Sequence, residues 1–196
     1  MTVFEASKIS LEDLQDALAA LRPDFRFLAD CIERAAEDGV WKDNEAGALL
    51  ARPNPNAGPY AFRIILFPSA GGVKEDQLVG YLSRPIPSSF RKFLSCSNGG
   101  HFGDLSIYGV IPNLTRSARA PLDIGMGEIW RSSYAPCDKD LVLFASRDVS
   151  PSGQIGYFVS DAGEVLGRGN EQLDAPSDAG IWESLDDWFN HQFLED

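Results

Sequence analysis

The stretch IPSSFRKFLSCSNGG, residues 86–100, decides the reading of the fold. Pro87 suits the first turn of a helix, because its φ is already helical and its missing N–H would have no partner there. Phe90, Phe93 and Leu94 then share one face. Asn98-Gly99-Gly100 supplies residues that tolerate a left-handed helix stop and a tight reversal into a sheet. Beyond this point the hydrophobic period changes. LSIYGV (105–110), LVLFA (141–145), IGYFV (155–159) and EVLGR (164–168) are short runs separated by Gly, Asp and Ser, the pattern of strands. Ser160-Asp161-Ala162-Gly163 fits a hairpin between the last two. Between the runs 105–110 and 141–145, residues 126–133 read as a short helix.

Towards the N-terminus, Ser10 is placed to cap a helix starting at Leu11, with Asp13 as its N3 partner. Leu11, Leu14, Leu18 and Leu21 follow at three- and four-residue steps. A second helix is predicted over 24–38, with Phe27, Cys31 and Ile32 on its buried side and Gly39 as its stop. Residues 51–59 (ARPNPNAGP) read as an exposed loop, 60–67 (YAFRIILF) as a strand and 75–82 as a short helix. A closing helix is predicted over 178–194, with Ile181, Leu185, Trp188, Phe189 and Phe193 on one face. The expected architecture is one α+β domain over 1–196. Its core spans about 80–194, a mainly antiparallel sheet with helices packed on it and a closing C-terminal helix. A helical pair is expected to extend it over about 1–50.

The composition agrees. At 196 residues, 44% hydrophobic and 23% charged, the chain has the profile of a globular domain, which excludes a disordered tail, a collagen-like fibre or a coiled coil. No apolar run approaches the roughly 18 residues of a membrane span. The net charge is −12. By quarters, residues 1–50 carry −6, 51–100 carry +4, 101–150 carry −1 and 151–196 carry −9. Such a chain repels phosphate backbones, so nucleic acid is not an expected ligand and a basic protein is a better partner. Cys31, Cys96 and Cys137 form no CxxC or disulfide framework. The stretch MTVFEASKIS lacks the pattern of a signal peptide, and a reducing cytoplasm is the expected location.

The sequence offers little catalytic chemistry. His101 and His191 are the two histidines, and neither lies at metal-ligand spacing from a cysteine. His101 follows Cys96 by five residues, yet Cys96 comes just after Phe93 and Leu94, where a packed structural thiol is expected. No nucleophile elbow, phosphate loop or HExxH occurs. Asp161 with Glu164, and Asp186 with Asp187, are the carboxylate pairs a hydrolase reading would use. Acids in turns and on solvated helix faces need no such role. The expectation is a non-enzymatic protein without cofactor or metal.

The order of these features resembles the SUKH superfamily, which includes Smi/Knr-type regulators of fungal cell-wall synthesis and bacterial immunity proteins. The likeness covers about residues 80–194. It rests on the Pro87-led helix, the Asn98-Gly99-Gly100 stop, Tyr108-Gly109 in a strand, Gly156 before Tyr157-Phe158, and Trp182 with Trp188 in a final helix. It implies a protein-binding module. Bacterial members typically neutralise a cognate toxin by direct binding, and many such toxins are basic nucleases. On charge alone, Asp161, Glu164, Glu171, Asp174 and Asp178 are the expected contact residues, since charge complementarity speeds encounter. A Smi/Knr-type scaffold binding cellular partners is the alternative, and a carboxylate-pair hydrolase a minor one.

Overall fold

Strand alternation sets two faces, one of which receives the helices. The computed structural model describes residues 6–53, 62–69, 82, 84–111, 120–134, 140–149, 153–170 and 178–193. Ten strands make one antiparallel sheet in which every strand pairs with the next along the chain. They are β1 (Ala6–Lys8), β2 (Val40–Asp43), β3 (Leu49–Pro53), β4 (Phe62–Pro68), β5 (Ser97–Phe102), β6 (Leu105–Ile107), β7 (Val142–Asp148), β8 (Gln154–Val159), β9 (Val165–Gly169) and β10 (Asp178–Trp182). Five α-helices accompany them among the described residues: α1 (Leu11–Ala19), α2 (Arg26–Ala35), α3 (Ser88–Cys96), α4 (Ile124–Trp130) and α5 (Leu185–Phe193). The chain is therefore an α+β protein built on an antiparallel sheet.

Ala51, Ile64, Leu66 and Phe102 join the main core, which also takes the buried faces of α1, α2, α3 and α5. The residues between them, Leu50, Ile65 and Phe67, form a second buried cluster with Ala48. Trp41 and Phe62 pack on that cluster, ring centroids 5.5 Å apart. Burial on both faces explains why β4 reads as a near-continuous apolar run instead of an alternating one. An aromatic seam fills the main core. Phe25, just before α2, meets Phe93 of α3 edge-on at 5.6 Å and Phe189 of α5 at 5.9 Å. Phe144 and Tyr157 of the sheet meet Trp188 at 4.9 and 5.0 Å. Each such ring contributes on the order of 1.5–3 kcal/mol through the apolar surface it removes from water.

The Ser10 cap forms as the sequence predicts: Ser10 Oγ accepts from Asp13 N at 3.1 Å, and Asp13 Oδ2 accepts from Ser10 N at 3.2 Å. The 160–163 hairpin and the short helix before β7 also form.

Several expectations need correction. The N-terminal quarter is not only a helical pair, since it also supplies β1, β2 and the start of β3, with β2 and β3 flanking the Asn44–Gly47 turn. Phe27 is exposed, while Cys31 and Ile32 of the same helix are buried. Asn98-Gly99-Gly100 is no helix stop: α3 ends at Cys96 and runs directly into β5, which contains all three residues. Pro87 stands one residue before that helix, at its cap. The closing helix begins only at Leu185, because residues 178–182 pair with β9 as strand β10. Trp182 therefore sits on a strand, buried against Tyr157, and Ile181 faces solvent. Residues 51–53 of the expected 51–59 loop belong instead to β3, and the rest of that loop, with residues 75–81 of the expected helix, falls outside the described residues.

Candidate functional site

Several of the residues that carry the resemblance hold the sheet together. Asn98 reaches from β5 to the chain after β6, where its Oδ1 accepts from Val110 N at 2.7 Å and its Nδ2 donates to Val110 O at 3.0 Å. The two backbones approach so closely that a Cβ on Gly99 would stand 2.6 Å from the Ile107 carbonyl oxygen. One on Gly109 would stand 2.2 Å from that of Asn98. Only glycine fits such a contact. Gly100 pairs with Leu66 and Ile107, and Gly156 with Ser146 and Arg168. Tyr108 and Gly109 lie just past the end of β6 and not within a strand; Tyr108 donates its buried hydroxyl to Ser146 Oγ at 2.9 Å, and burial pushes the phenol up to about 12.

The acids expected to meet a partner are distributed. Asp161 and Glu164 are exposed on the β8–β9 turn, which Ser160 closes by accepting from Gly163 N (2.9 Å) and, through Oγ, from Glu164 N (3.1 Å). This turn abuts Ser89 in the first turn of α3. Asp178 opens β10 opposite Arg168, at the far end of β9 from Glu164, roughly 13 Å away at strand rise. Glu171 and Asp174 lie outside the described residues.

The structure gathers a different set of acids. Helix α2 packs against α5, and Gln15 of α1 reaches Glu33 of α2. Asp186 Oδ1, in the first turn of α5, accepts from Phe27 N in the first turn of α2 at 3.3 Å. Burial pushes the Asp186 carboxyl up from its ordinary value, the Phe27 N–H opposes this, and the charges of Asp187 and Asp30 add to it. Arg22 binds Glu33 at 2.8 Å and Asp30 at 3.3 Å, while Gln15 joins Glu33 from α1. These bonds hold the Glu33 carboxyl below its ordinary range, the Arg22 guanidinium foremost and then Gln15. Lys92 of α3 reaches Asp24 at 3.1 Å. In the first and last quarters Glu12, Asp16, Glu37, Glu183 and Asp187 are exposed. The two most acidic quarters of the chain thus meet on one helical layer, which no local sequence signal could reveal.

A second, opposite feature lies where α2 and α5 overhang the sheet. Arg52, Arg63, Asp104, Arg147 and His191 line a cleft of about 420 Å³, with Ile64, Phe102 and Phe193 as apolar wall. The Arg147 Nε lies 3.5 Å from Asp104 Oδ1, an ion pair without hydrogen-bond alignment, and that buried N–H donates to no acceptor. Sequence reading missed this cluster because its members come from β3, β4, β7 and α5. The +4 charge of residues 51–100 was its only trace.

Among the described residues no group of three His, Cys, Asp or Glu is placed to hold a metal ion. No helix there is long and apolar enough to cross a membrane. The Cys96 thiol donates to Ala20 O at 3.1 Å, and His101 Nδ1 shares a 3.0 Å hydrogen bond with Ser106 Oγ. Comparison of the chain with models of known protein families, with curated proteins and with solved structures gives no match.

Proposed function

We propose that this chain is a non-enzymatic protein-binding module, an immunity protein of SUKH type that neutralises a basic, nuclease-type toxin by direct binding. The single observation that carries the reading is the helical layer of α1, α2 and α5, which unites the acids of the first and last quarters. An acidic surface of this extent steers a basic partner towards it and raises the rate of encounter above that of a neutral pair. The turn that carries Asp161 and Glu164 reaches Ser89 of α3, a helix that Lys92 and Phe93 attach to Asp24 and Phe25. The order of Pro87, Asn98-Gly99-Gly100, Tyr108-Gly109 and Gly156 supports the family; Pro87 caps α3, and the others serve the sheet that carries the helices.

The test is the association rate with a purified basic toxin domain, measured by stopped flow at low and at high salt. The proposal predicts association at least about ten-fold faster at low salt, since exposed charges more than roughly 8–10 Å apart are screened at physiological ionic strength. A rate independent of salt contradicts it.

A further inference from the structure

The positive cleft has a use of its own. In the β3–β4 ladder Ala51 pairs with Ile64 and Pro53 with Phe62, so Arg52 and Arg63 stand opposite each other on adjacent strands. Like charges at one rung are destabilising. Arg52 also has φ of 52°, and it is the only non-glycine residue with positive φ among the described residues. A side chain in that region is strained, and such strain persists where the surroundings impose it, commonly at ligand sites. The hairpin therefore carries two costs at one position, and neither is offset by an ion pair to a described carboxylate. Arg147 adds a third guanidinium from β7, with its buried Nε unsatisfied.

Three guanidinium groups against the single carboxylate of Asp104 leave the cleft at +2, in a chain of net −12. Over the few ångströms of a bound ligand these nearby charges dominate, because the distant acids are screened beyond about 8 Å. Guanidinium forks match phosphate oxygens two at a time. The volume of about 420 Å³ falls among clefts that hold small organic ligands, roughly 300–1,000 Å³, and leaves room beyond a bare phosphate. We propose that this cleft binds a small phosphate monoester. Arg52, Arg63 and Arg147 take the dianionic phosphoryl group, and Phe102 and Phe193 flank the organic part.

The experiment is isothermal titration of the full chain at low ionic strength with adenosine 5′-monophosphate, ribose 5-phosphate, inorganic phosphate and adenosine. The monoesters are expected to bind roughly ten-fold or more tighter than inorganic phosphate, and adenosine not to bind. Arg63→Gln, at an exposed position, should weaken the monoesters about ten-fold without lowering the melting temperature. Arg52→Gly should weaken them equally while holding or raising the melting temperature, because glycine adopts the positive φ freely. That pairing separates a ligand-binding arginine from a structural one. No binding by either monoester, equal affinity for inorganic phosphate, or unchanged affinity in both variants would overturn the proposal. The titration needs no protein partner, so its outcome is independent of the toxin-binding reading.

Discussion

Asn98 ties β5 to the chain after β6 with one side chain, which bonds both backbone groups of Val110. Asn98→Ala leaves a backbone donor and acceptor without partners, which costs about 2 kcal/mol. Urea denaturation should show a midpoint lowered accordingly, and a loss under about 0.5 kcal/mol would mean that Val110 finds other partners. Asp186 is the opposite case. Its folded pKa is raised above the ordinary 3.8, so its favourable contribution is present below that value and is lost as pH rises through the folded pKa. At neutral pH the charge is a burden. Asp186→Asn keeps an Oδ1 acceptor for Phe27 N, so the variant should melt higher than the parent at pH 7. The gap should close as pH falls towards 4, and thermal melts across that range decide it. A variant less stable at every pH would contradict this account.

Elements were legible in the sequence where a local pattern stood alone, and misread where a distant partner decided. The α1 cap depends on Ser10 and Asp13, three residues apart, so it could be read directly. The Asn98-Gly99-Gly100 segment could not. Its glycines admit both a left-handed stop and the close approach of Ile107 and Gly109, and only the β5–β6 pairing selects the second. Likewise residues 178–182 carry helical spacing, but β9 offers them a ladder, and Ser184, which accepts from Asp187 N at 3.1 Å, starts the helix later. β1 and β2 escaped notice because three- and four-residue strands carry too few alternations to register. What α5 contributes is measurable. Phe189 touches Phe25, Phe93, Trp188 and Phe193, so it binds α5 to α2 and α3. Phe189→Ala should cost about 3–5 kcal/mol in guanidinium denaturation, the usual range for deleting a buried ring. A loss below about 1 kcal/mol would mean that the seam repacks.

At the scale of the molecule, charge is segregated. The sequence placed negative charge in the first and last quarters and positive charge in the second. Folding converts that order into an acidic helical layer and an arginine cleft. The α+β class was legible because strand and helix periods are local. The site was not, because α2 meets α5 across some 160 positions of chain and the cleft draws on four elements. Asp16, Glu37 and Glu183 are exposed acids of the first and last quarters. Replacing them together by the corresponding amides should leave the melting temperature within a few degrees. It should also slow association with a basic partner and flatten its dependence on salt, as stopped flow would read. An association rate equal to that of the parent would remove the layer from the interface.

The central claim is the partner. Its most direct measurement is a pull-down from the native cells with the tagged chain and the triple amide variant in parallel, read by mass spectrometry. The account predicts that the parent captures one basic toxin-domain protein and that the variant captures much less of it. A set of unrelated housekeeping proteins, or equal capture by both baits, would contradict it.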